Sequence, residues 1–369
     1  IKHIVLSGGG PIVYVQYGVI KQLIKNNIII FDNIESIYCV SAGCLSALVI
    51  LLNLNTNIIN KYLINRPWEN IFNEISNYDY INLFYNKGIY DINIIKKIID
   101  PLLIAKNFST DITLKQLYDK TNIELHIFAT NITKVSKVDF NYIEYPDYKL
   151  VDCIYMSCCA PILLKPYFIN DNCFIDGCML TTVPYYNCIT DKKCKYNEII
   201  ILSCCPDDDT DYIKNMKFFI DNNIQENIEG DIIEYINEKY KNIKDSDISK
   251  NNLTNNNITQ NTNIMMFFLY TLKNLVNKIL SLDNIIENIV YNVDPLIDNQ
   301  FINCAYVSYS NINVFDWIKT FSNKIERKSL IIYGEIIGKQ YLDKYNNLDV
   351  SYNNLDVSYN NLDVSYNNL

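Results

Sequence analysis

Three short stretches of this sequence carry residue types that could do chemistry together: Cys39-Val40-Ser41-Ala42-Gly43, Gly8-Gly9-Gly10 and Asp176-Gly177. A serine hydroxyl is a weak nucleophile and needs an exposed position, a nearby base and donors for the oxyanion it creates. The small residues Cys39, Ala42 and Gly43 around Ser41 suit a nucleophile elbow, a tight strand-to-helix turn with no room for bulk beside the serine. A helix N-cap serine would read the same way, and one residue can be both. Gly8, Gly9 and Gly10 can aim backbone N–H groups into one hollow, which would hold either a phosphate or a tetrahedral oxyanion. Both common nucleotide fingerprints fail here, because Val13 stands at the late glycine and no Gly-Lys-Ser/Thr follows.

The base is the open question. Of the two histidines, only His126 follows Ser41, as the α/β-hydrolase order requires, and it sits in the middle of an apolar strand pattern; His3 precedes the first strand. A carboxylate acting directly is the alternative, and Asp176, at a strand end before Gly177, suits it, since desolvation raises a carboxylate's proton affinity. The acidic run Asp207–Asp211 lacks the glycine and glutamate of a calcium loop, so a solvated acidic loop is expected and no metal site.

The elements that must position these residues follow from periodicity. Ile4–Ser7 reads as a strand ending in the glycine turn, with a helix from about Tyr14 to Lys25. Ile34–Cys39 is a second strand, followed by an apolar run from Ala42 to Leu54 that predicts a buried helix. Asp91 and Thr113 are expected helix N-caps. Glu124–Thr130, Val138–Ile143, Phe174-Ile175 and Glu198–Ser203 predict further strands, and Val151–Cys159 a helix stopped by Pro161. Alternating strands and helices imply an α/β layer fold with a largely parallel sheet, its functional loops at the carboxyl ends of the strands. Residues 1–205 are the expected core and 206–263 an acidic, Asn-rich, partly flexible insertion. Residues 264–344 would form a C-terminal helical portion, with a polar amphipathic stretch Ile264–Leu282, and the repeats of 345–369 a disordered tail.

With 49% hydrophobic and 20% charged residues, the 369-residue chain has a globular composition. Its net charge of −9 and pI near 4.9 exclude a phosphate-tracking nucleic-acid binder and a polybasic membrane anchor. Contact with lipid would have to use apolar and aromatic side chains. Twelve cysteines without a C-x-x-C pair predict reduced, buried thiols and a cytoplasmic setting, with no visible signal peptide.

Taken together, Ser7–Gly10, Val40–Gly43 and Phe174–Gly177 resemble the patatin-like phospholipases, including those of large DNA viruses. Gln16–Ile20, Met156–Pro161, Pro184, Arg66-Pro67-Trp68 and Asp111–Leu114 add to the likeness, which extends from about Ile4 to Tyr345. The resemblance implies a three-layer α/β/α fold and hydrolysis of phospholipid or acylglycerol esters by a Ser-Asp dyad. Ser41 would be the nucleophile, Asp176 the general base, and the N–H groups around Gly8, Gly9 and Gly10 the oxyanion hole. No cofactor is implied; the partner would be a lipid substrate, with peripheral contact at a membrane surface, in host cytoplasm if the protein is viral. The chain departs from the family at Ile12 and Val13, Cys39, Cys178 and Thr182. A patatin-fold binding or scaffold protein without turnover is the alternative those departures leave open.

Overall fold

The computed structural model describes residues 1–72, 85–204, 212–225, 228–250, 301–304 and 314–344. An eight-stranded sheet forms its centre, in the order β10-β9-β1-β2-β4-β8-β7, with β5 also paired to β4. The strands are β1 (His3–Leu6), β2 (Ser36–Val40), β4 (Glu124–Asn131), β5 (Ser136–Phe140), β7 (Tyr167–Ile169), β8 (Asn172–Ile175), β9 (Ile199–Ser203) and β10 (Phe301–Asn303). β3 (Gly88–Tyr90) and β6 (Ile162–Leu164) make a separate parallel pair. β10, β9, β1, β2 and β4 run parallel, while β5, β7 and β8 are antiparallel to their neighbours.

The two-residue alternation of the strands divides the core. Ile4, Leu6, Ile37, Cys39, Ile200 and Leu202 face the larger cluster with helices α1 (Ile12–Lys25) and α2 (Gly43–Leu51). Val5, Tyr38, Val40, Phe128, Ile199 and Ile201 face the other side, where the helix Tyr185–Lys192 packs. Apolar residues facing both sides of the sheet are what a parallel sheet covered on both faces requires, so the layers are α/β/α as expected. Both expected caps form: Asp91 accepts from the Asn93 N–H, and Thr113 makes a reciprocal capping box with Gln116.

The edge of β4 decides where the site lies. β2 pairs with β4 as far as Val40 opposite Phe128, and β8 pairs with Thr130 and Asn131. β5 occupies the other edge over Ile127–Asn131. β2 and β8 therefore share one edge of β4 and meet end to end at Ala129. Ser41 and Asp176 are the first residues past the two facing ends.

Segments beyond β9 also contribute to the core and the sheet. Of residues 206–263, read as an excursion, Tyr212–Asp221 and the first part of Gly230–Lys250 are helices whose Ile213, Met216, Phe219, Ile232 and Ile236 lie in the main core. Ile232 and Ile236 lie within Ile224–Tyr240, an amphipathic stretch of the sequence, whereas Ile213, Met216 and Phe219 stand in a segment of polar composition. The C-terminal helical portion is preceded by the short strand β10, which joins β9 in the sheet. Residues 314–322 and 324–344 are helical as expected. Asp207–Asp211, Ile264–Leu282 and the 345–369 repeats lie outside the described residues.

Candidate active site

Ser41, with Ala42, links β2 to α2 and has φ of +50°, a conformation that costs an L-residue roughly 1–2 kcal/mol. Neighbouring groups hold it there. Its N–H donates to Ser157 Oγ at 2.8 Å, and Ser157 Oγ in turn donates to the Phe128 carbonyl at 2.6 Å. Gly43 lies where a Cβ would meet the Ser7 carbonyl oxygen at 2.7 Å, so the turn at Ser41 packs directly on the glycine loop.

The Ser41 hydroxyl donates to Asp176 Oδ2 at 2.7 Å, and the Cys178 N–H donates to Oδ1 at 2.8 Å. Asp176 is only 5% exposed. Burial pushes its carboxyl up to about 6, against the opposing pull of the Ser41 and Cys178 hydrogen bonds. Such a carboxylate is ionised at neutral pH and still able to accept a proton.

The glycine loop lies beside this pair. A Cβ at Gly8 would overlap Cys178 Sγ and stand 2.9 Å from Ser41 Cβ, so close approach demands glycine there. Gly9 and Gly10 have φ of +140° and +59°, open to glycine at no steric cost. The Gly8 N–H reaches the Thr182 carbonyl at 3.3 Å, whereas the N–H groups of Gly9 and Gly10 have no acceptor among the described residues. The Trp317 ring covers Gly10, where a Cβ would come within 2.5 Å of it. Gln16 ties the loop to α2: its Nε2 donates to the Ser7 carbonyl at 3.0 Å and its Oε1 accepts from Ser46 Oγ at 2.6 Å.

Sequence reasoning singled out Ser41, Asp176, Gly8–Gly10, Cys39, Val40, Ala42, Gly43 and Gly177, and all of them gather here. Cys39 is buried beneath the turn with its Sγ 3.4 Å from the His126 carbonyl. A Cβ at Gly177 would overlap the Phe128 carbonyl oxygen. The anchoring roles of Ser157 and Gln16 were missed. Both lie in segments that carry the family resemblance, but a polar residue on a largely apolar helix by itself names no partner.

Neither histidine bonds Ser41. His3 Nδ1 pairs with Ser36 Oγ at 2.8 Å. His126 Nδ1 lies 2.7 Å from Asp139 Oδ2, its Nε2 3.6 Å from Glu124 Oε2, and its ring stacks on Tyr38. His126, Asp139 and Asp191 offer ligand atoms within 4.8 Å of one another. Asp139 already engages the imidazole and Lys192 pairs with Glu124 alongside, so this group forms a charge network away from Ser41. All eleven described cysteines are free thiols.

A family profile, that of the patatin-like phospholipases, matches residues 4–189, half of the chain and all of the site. The chain belongs to the patatin-like phospholipase family. Its relatives include the probable lipid hydrolase 463L of Invertebrate iridescent virus 6, 30% identical over 112 residues, which are 29% of this chain and 39% of that protein. The uncharacterized protein R571 of Acanthamoeba polyphaga mimivirus is 24% identical over 177 residues, 48% of this chain and 58% of the relative. The matches thus span well under two thirds of either relative. Among solved structures, VipD from Legionella pneumophila aligns with 93% of this chain and 67% of its own at 16% identity, with a TM-score of 0.44. In this patatin-like chain the glycine loop, elbow and Asp-Gly turn come from three separate strand ends. Among its described residues no helix is long and apolar enough to cross a membrane.

Proposed function

We propose that this protein is a lipid acyl hydrolase that cleaves ester bonds of phospholipids or acylglycerols with a Ser41–Asp176 dyad. The 2.7 Å hydrogen bond between a strained elbow serine and a buried carboxylate carries the reading. Family membership and the name of the iridescent-virus relative support the lipid class.

As Ser41 Oγ attacks the ester carbonyl, its proton passes to Asp176 Oδ2 and the carbonyl oxygen becomes an oxyanion. The Gly9 and Gly10 N–H groups, without an acceptor among the described residues, would supply donors for that charge. Collapse expels the alcohol, which takes the proton back from Asp176 and leaves an acyl group on Ser41. Water, giving a proton to Asp176, then attacks the acyl ester; fatty acid leaves and the proton returns to Ser41. Every proton in this cycle moves between groups of the chain and the substrate.

Ser41→Ala and Asp176→Asn should each abolish fatty-acid release from mixed lipids, read by mass spectrometry, with the fold intact. Full activity in Ser41→Ala would sink the reading. One observation favours a fold without turnover: the Gly8 N–H is already engaged by Thr182. Labelling of Ser41 by a fluorophosphonate separates the two, since only an activated serine reacts.

A further inference from the structure

We propose that the tips of two adjacent β-hairpins form the surface on which this protein docks to a lipid bilayer, an inference that rests on the lipid-hydrolase reading. The β4–β5 hairpin turns at residues 132–135, and the β7–β8 hairpin at Asn170-Asp171. The two tips are laced together. The Ile132 N–H donates to the Cys173 carbonyl at 2.9 Å, the Cys173 N–H donates to Thr133 Oγ1 at 3.0 Å, and Phe168 pairs with Cys173 across β7–β8.

Their place follows from the register. β4 continues beyond the end of β2, and β8 descends from its tip along the same edge to deliver Asp176 beside Ser41. Asn172 and Asp176 are four positions apart, so the tips stand roughly 13 Å beyond the dyad at about 3.3 Å per strand residue. They project from the same end of the sheet as the proposed nucleophile.

What the tips carry does not serve the fold. Val135 is 78% exposed, Phe168 63% and Ile132 45%. Val135 also has φ of +49°, an unfavourable conformation for a β-branched side chain. The neighbouring turn, by contrast, uses Asn170 and Asp171 at positive φ, residues that such a two-residue hairpin prefers. Single exposed apolar residues are ordinary; three on paired tips at one end of the sheet are not.

The charges fit a bilayer. Lys87 Nζ lies 6.0 Å from the centre of the Phe168 ring, and Lys134 sits in the β4–β5 turn, with Asp171 as the acid of the adjacent turn. Two cations and one acid make this region locally positive on a chain of net charge −9. Lysines at phosphate level with apolar side chains below them match the layered chemistry of a membrane interface.

The test uses full-length protein carrying Ser41→Ala, so that vesicles stay intact, and co-sedimentation with phosphatidylcholine vesicles containing a minor fraction of phosphatidylserine. The double substitution Phe168→Asp/Val135→Asp should lower vesicle partition roughly tenfold or more, since it removes two apolar insertions. Ile143→Asp, equally exposed but past the opposite end of β5, should leave partition unchanged. With Ser41 intact, the double variant should still cleave a water-soluble short-chain ester at the parental rate, which also reports its folding. Undiminished vesicle binding by the double variant would overturn the proposal, as would an equal loss in Ile143→Asp or no binding by the parent. A change in oligomeric state without a change in vesicle binding would overturn it in favour of a second copy of the chain. If the parent binds vesicles as expected but cleaves neither lipid nor soluble ester, docking stands and the hydrolase reading falls.

Discussion

In the proposed mechanism Asp176 must be ionised to take the Ser41 proton, and burial has raised its carboxyl to about 6. Hydrolysis of a soluble ester should therefore fall about tenfold per pH unit below that value, with kcat/KM flat above it. The same shift fixes the effect of Asp176 on stability. A carboxyl raised in the folded state contributes stability that is present below about 3.9, its value in an unfolded chain, and lost as pH rises through about 6. At neutral pH its ionised form is the costly one, so Asp176→Asn should abolish activity while leaving the melting temperature equal or higher. Gly8→Ala should do harm at the same spot, because its Cβ overlaps Cys178 Sγ. Adding Cys178→Gly should recover part of the lost stability, as thermal melts of the two variants would show. Of this site, Ser41, Asp176 and the glycines were legible as residue types at strand ends. Their distance was not, since hydrogen-bond contact between residues 135 positions apart is a property of the sheet.

At the scale of elements, the turn at Ser41 is held by a neighbouring helix. Ser157 lies in Leu150–Cys158, fully buried, and passes one hydrogen bond from Ser41 to Phe128. Ser157→Ala would strand two buried backbone groups and should cost about 1–3 kcal/mol in denaturant unfolding. If Ser41 is the nucleophile as proposed, Ser157→Ala should also lower kcat more than it raises KM, because Ser41 rather than the binding surface loses its support. Capping was the most readable layer of structure. Asp91 and Thr113 were identified because a cap is a local bond between residues two or three apart. The pairing of β8 with the far end of β4 involves only Thr130 and Asn131, and no local pattern encodes it.

Across the whole molecule, His126 makes stability depend on pH from a place remote from the dyad. Burial acts to lower its pKa, but its contacts with Asp139 and Glu124 together outweigh that and hold it raised. Its contribution is then complete below about 6.5, the value for a free histidine, and is lost as pH rises through the folded value. The melting temperature should decline across neutral pH in the parent protein, and His126→Gln should flatten that decline. Layer order and the parallel core were readable from alternating apolar runs. The contribution of Ile213 and Met216 was not, because these residues are scattered through a segment of polar composition.

The end-to-end meeting of β2 and β8 on one edge of β4 has a consequence for error tolerance. A strand slipped by one residue moves by about 3.3 Å and turns each side chain to the opposite face. Such a slip of β8 would leave the sheet nearly as well hydrogen-bonded but carry the Asp176 carboxylate out of reach of Ser41. Reactivity in this chain is thus a vernier on strand alignment: a misregistered molecule could pass for folded by its secondary structure and still be inert.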